Sequence, residues 1–208
     1  MRRPCNLVVG LCVLVFAIAG ALVRPAAADH KFHRVPAAKK GAGLQLRVVS
    51  YDGAVNGELT VEIKNTGRVA TTFNASGLYF VPDGDPDRAP QRLGAVGPMQ
   101  LLAGGEAAPE RKDEVAIAAG ATVQVTLDVF CIDSHRPSPT SETPFTVARA
   151  RMPKRLAEEI DVVGARAAGS VGGYAAPAAK SRIQSDVWQA RDAKWVPLAG
   201  EGVQEATK

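Results

Sequence analysis

Cys131 and His135 lie four residues apart, close enough across a strand end for an imidazole to act as base toward a thiol. The surrounding residues name no group to orient that imidazole and no donor for an oxyanion, so a hydrolytic constellation is incomplete. Cys131 still carries information, because Cys5 and Cys12 fall in an N-terminal leader and leave it as the lone thiol. An odd thiol in an exported chain implies an intermolecular bridge, a reactive group or a shielded side chain. It ends an alternating run on the core side, which favours a buried sulfur. Asp83-Gly84-Asp85-Pro86-Asp87 spaces carboxylates as a calcium loop begins, but Arg88 occupies the position that needs glycine and Gly94 the one that needs glutamate. His30 and His33 near the new N-terminus make only a weak copper site. We therefore expect no metal and no cofactor. Asn74-Ala75-Ser76 is a glycosylation sequon, and no G-x-S-x-G, P-loop, dinucleotide fingerprint or H-E-x-x-H is present. Glu158-Glu159 lie among basic partners on a helix, where a solvated face accounts for them. The expectation is a protein that is not an enzyme.

One pair of short motifs points elsewhere. Phe130-Cys131-Ile132-Asp133 and Ile183-Gln184-Ser185-Asp186-Val187-Trp188 resemble the two signatures of bacterial thioester domains, in which an aromatic residue precedes the cysteine and a glutamine lies four before a tryptophan on a helix. The resemblance implies that Cys131 and Gln184 join as an internal thioester that captures amines on a host surface. It also implies that Trp188, one helical turn from Gln184, shields the bond. The chemistry is coherent: a thiolate leaves easily, so the glutamine carbonyl stays electrophilic while apolar neighbours exclude water.

The elements that must position these residues begin with the leader. Met1-Arg2-Arg3, an apolar run from about Leu7 to Val23, and Ala26-Ala27-Ala28-Asp29 read as a signal peptide over 1–28, which predicts a secreted or periplasmic product. The formal charge of +4 is mostly leader: without Arg2, Arg3 and Arg24, 22 basic residues face 21 acidic ones. No later segment is apolar enough to span a membrane, and no basic face or aromatic platform suits nucleic acid.

Residues 29–43 are polar and aperiodic, a linker. Alternation then starts at Leu44, Leu46 and Val48, repeats at Leu59, Val61 and Ile63, and is clearest at Val123, Val125, Leu127, Val129 and Cys131. Asp52-Gly53, Asn56-Gly57 and Asn65-Thr66-Gly67 provide turns. Further strands are expected over 69–73 and 78–81, with 104–113 as a polar loop and Phe145-Thr146-Val147 as a brief edge strand. This spacing, without intervening helix, predicts a mainly β fold, an antiparallel immunoglobulin-like β-sandwich over 44–135.

Residues 136–195 are expected to form a loop and a two-helix C-terminal extension packed on the sandwich, with 196–208 as a tail. Pro153 opens the first helix, whose face is Leu156, Ile160, Val163 and Ala167, and Pro177 opens the second, with Ile183, Val187 and Ala190. By elimination, the leading expectation is a noncovalent binding or envelope-associated module for an unknown protein or cell-envelope ligand. The alternative is covalent capture through Cys131 and Gln184.

Overall fold

Inward stripes of branched side chains assemble the sheet. The computed structural model describes residues 31–36, 43–85, 88–96, 98–154, 156–158, 160–162 and 177–193. Strand β2 (Leu44–Tyr51) pairs antiparallel with β3 (Glu58–Asn65) so that Leu46 faces Ile63 and Val48 faces Val61, and a register shift between Val48 and Ser50 brings Tyr51 opposite Leu59. Asp52 holds the intervening turn by accepting from the N–H groups of Ala54 (3.0 Å) and Glu58 (2.9 Å), which bears out the turn chemistry read there. The ten-residue strand β10 (Thr122–Cys131) lies against the other edge of β3, with Val125 opposite Val61 and Leu127 opposite Leu59. Three strands thus stack one apolar stripe.

The far side of β10 is shared. Its first half pairs with β7 (Met99–Ala103), and Val129 to Cys131 pair with β6 (Leu93–Ala95). Beyond β6 come β5 (Tyr79–Pro82) and β11 (Phe145–Val147), and β11 returns to β2, where the Tyr51 and Phe145 rings meet edge to face at 5.5 Å. The main sheet is therefore nearly closed. A separate ribbon of β4 (Thr71–Asn74) and β9 (Glu114–Ile117) adds Phe73, Val115 and Ile117 to the interior.

Two expected loops are strands instead. The stretch read as a polar loop contains β8 (Glu106–Lys112), paired with β7 around Gly104 and Gly105, whose φ angles of 64° and 90° make the tight reversal. Its side chains are mostly exposed, so no apolar alternation marked it. The expected linker carries β1 (His33–Arg34), paired with β2 and followed by the buried Val35. Arg47 also stacks over the Phe32 ring at 4.9 Å.

A second apolar cluster lies on the opposite face of the β10 end. Phe130 and Ile132 point away from the sulfur of Cys131 and pack with Tyr79, Met152, Leu156, Ile160, Ile183 and Val187. The last four of these come from helices α1 (154–162) and α2 (Pro177–Ala193), and Met152 lies just before α1. The Pro153 carbonyl accepts from the Leu156 and Ala157 N–H groups and so starts α1, and Pro177 opens α2 as expected. Val163 and Ala167, the rest of the anticipated α1 face, lie outside the described residues, as do the leader, His30, the 196–208 tail and Trp195. No helix among the described residues is long and apolar enough to cross a membrane.

Candidate functional site

Helix α2 and the end of β10 run in the same direction and meet three times. Lys180 Nζ is 3.1 Å from Asp128 Oδ1, Gln184 reaches Cys131, and Arg191 Nη2 is 3.9 Å from Asp133 Oδ1. The register is a matter of rise. From Lys180 to Arg191 a helix advances roughly 16 Å, and the extended chain from Asp128 to Asp133 advances roughly the same. Residues three and four apart on α2 divide its two tasks: Ile183 and Val187 enter the second apolar cluster, while Gln184 and Trp188 turn toward the cysteine side.

The central contact is bidentate. Gln184, 5% exposed, accepts from the Cys131 N–H through Oε1 at 3.0 Å and donates from Nε2 to the Cys131 carbonyl at 2.8 Å, across 53 residues of chain. Only one orientation of the carboxamide satisfies a donor and an acceptor at once. The Cys131 N–H is shared with the Val55 carbonyl at 3.2 Å. In effect the carboxamide takes a place in the ladder beside β10 where no neighbouring strand runs, and it pairs the buried Cys131 carbonyl. Trp188 packs against the core cluster that contains Cys131 and donates from Nε1 to Gln91 Oε1 at 3.2 Å.

Cys131 is fully buried. Burial, with a smaller contribution from the negative charge of Asp133, pushes its thiol up to about 12. That shift disfavours the free thiolate in any nucleophilic role, and the His135 pairing fails besides because His135 is exposed while the sulfur is not. The structure thus separates the two residues of the hydrolytic pair in environment and brings Gln184 onto Cys131.

Ion pairs bracket the contact. Asp133, wholly buried, accepts from Arg92 Nε at 2.7 Å, Nη2 at 2.6 Å and the Arg92 N–H at 3.2 Å. Burial alone would raise its pKa; the hydrogen bonds and charge of Arg92, helped by the charge of Arg191, outweigh it and hold the carboxyl below the usual range. At the other end the buried Asp128 bonds Arg111 and faces Lys180 in an ion pair that lacks hydrogen-bond alignment, with Glu58 Oε1 near both cations at 3.7 and 3.9 Å. Sequence reasoning missed Arg92, Arg191, Lys180 and Asp128 as site residues. The one usable signal was that Lys180, Gln184 and Arg191 share a helix face, at spacings of four and seven.

The remaining candidates stay apart from this site. Asp83 Oδ1 accepts from Thr146 Oγ1 at 3.4 Å, residues 86 and 87 lie outside the described set, and no group of three potential ligands is assembled among the described residues. His33 belongs to β1. Asn74 accepts from the Ser76 N–H at 2.7 Å, and Ser76 in turn donates to Asp161 at 2.6 Å, so the sequon is folded into the contact with α1. Comparison of the chain with protein-family models, with curated proteins and with solved structures returns no match.

Proposed function

We propose that the protein is a covalent capture module in which Cys131 and Gln184 close an internal thioester and then transfer the glutamyl group to a primary amine on a partner surface. What supports the reading is one observation: the carboxamide of Gln184 is seated on both polar groups of the Cys131 peptide. In closure, Sγ attacks Gln184 Cδ, the S–C bond forms, the C–N bond breaks, and the thiol proton leaves with the nitrogen as ammonia. The Cys131 N–H, 3.0 Å from Oε1, stands where an oxyanion donor is needed. In capture, an amine adds to the same carbon, an amide forms, and the proton it loses returns to the sulfur. The core packing of Cys131 and the flanking Trp188 keep water from hydrolysing the bond.

The reading carries with it an exported location, an immunoglobulin-like scaffold and no requirement for turnover. Intact mass tests it. The closed protein is about 17 Da lighter than its sequence, and methylamine converts it to a species about 14 Da heavier than the sequence, as the loss of ammonia and the gain of the amine dictate. An unshifted mass with a thiol that titrates only after denaturation would leave the noncovalent binding module as the function.

A further inference from the structure

We infer that Asp133, gripped by Arg92 and reached by Arg191, is the positioning residue that holds Gln184 in reacting register with Cys131; the inference rests on the thioester reading and extends it to residues outside the two motifs' reacting pair. The two hydrogen bonds of the carboxamide constrain its plane, and the placement of α2 along β10 is set by contacts farther along the helix. Arg191 lies two turns beyond Gln184, fully inside the protein, and its guanidinium is directed at the carboxylate of the residue two past Cys131.

Arg92 fixes the other side of that carboxylate. It immediately precedes Leu93, which pairs with Cys131, and its carbonyl accepts from the Ile132 N–H at 3.0 Å. One buried acid therefore ties the β6 start, the β10 end and α2 together. The neighbouring Gln91 holds Trp188, so the same segment fixes the shielding ring. Closure requires the sulfur and carbonyl carbon within a few tenths of an ångström of the reacting geometry, which second-layer contacts of this kind set. The charge of Asp133 also raises the Cys131 thiol, so its removal would favour the thiolate, and a loss of closure in Asp133→Asn therefore reports the placement of α2.

The test compares intact masses of the purified full chain in four forms. Asp133→Asn keeps shape and removes charge, Arg191→Met removes the helix-borne cation, Arg191→Lys restores it, and Asn65→Ala weakens a turn remote from α2. We expect the lighter species to fall at least tenfold in Asp133→Asn and Arg191→Met, to recover in Arg191→Lys, and to persist in Asn65→Ala at comparable loss of melting temperature. Full closure in Asp133→Asn, or an equal loss in Asn65→Ala, would overturn the positioning role while leaving the thioester in place. A wild-type chain that never shows the lighter mass would instead overturn the thioester, and this inference with it.

Discussion

Replacing Gln184 by glutamate converts the carboxamide into the group that hydrolysis of a thioester would leave, at nearly constant shape. The effect is best isolated in a Cys131→Ala background, where closure is impossible but both backbone partners remain. The new carboxyl, when protonated, can still accept from the residue 131 N–H and donate to its carbonyl. Once ionised it loses the donation and sets a negative oxygen against a carbonyl oxygen that now lies 2.8 Å from Nε2. Burial and that repulsion both raise the folded-state pKa, by about 3 units above an ordinary value near 4.3, as for other buried glutamates. Because the folded pKa lies above the unfolded one, stability is intact below the unfolded pKa and is lost as pH climbs through the folded one. Each unit corresponds to about 1.4 kcal/mol, so the Gln184→Glu chain should match its Gln184 parent at pH ~4 and trail it by about 4 kcal/mol at pH ~8. Denaturant titrations of the two variants at both pH values measure this, and taking their difference cancels the acid titration of Asp133 that both share. A gap that stays the same at the two pH values would mean that residue 184 sits in water and that α2 does not dock on β10.

Other outcomes follow from the same contacts. Asp133 has a depressed pKa, so its contribution is present above the ordinary carboxylate range and disappears as pH falls through the lower folded value; Asp133→Asn should flatten the acid limb of a stability–pH curve. With the thiol at about 12, only about one molecule in ten thousand carries a thiolate at pH ~8, so iodoacetamide should label native protein in its open form more than a thousandfold slower than a free cysteine, and rapid labelling would place the sulfur in solvent. Asn65→Ala removes donations to the Val69 and Ile117 carbonyls (2.8 and 3.0 Å) and an acceptor for Gly67 (2.8 Å), and should cost about 2–4 kcal/mol in denaturant titration. Gly94→Ala would set a methyl group 2.6 Å from Met152 Cε and 3.0 Å from Ile132 Cγ2; Met152 can swing aside but Ile132 must shift, for about 1–3 kcal/mol and a melting point lower by several degrees.

The strands that carry a one-sided burial pattern are legible in the order of residues alone. Leu44 to Val48 and Leu59 to Ile63 alternate because one face is in the core, and their turns are marked by Asp52-Gly53 and Asn65-Thr66-Gly67. The alternation weakens where both faces are covered. Asp128 and Phe130 read as the outer side of β10 yet are 1% and 0% exposed, because α2 and its neighbours cover that face as well. β8 escapes notice for the opposite reason: much of its side-chain surface is in water, so its strand state is held by backbone pairing with β7.

The residue types at 131, 184 and 188 set what chemistry could occur, since a thiol, a carboxamide and a large ring are properties of the chain itself. Whether they meet is a property of packing. Local periodicity places Gln184 and Lys180 on one face of a helix, but the matched advance of that helix along the end of β10 arises only when Ile183 and Val187 bury themselves against Phe130 and Ile132. The ion pairs are of the same kind. An aspartate after an apolar strand and an arginine in a helix are solvated by default, and only their joint removal from water makes Arg92, Asp133 and Arg191 a single unit.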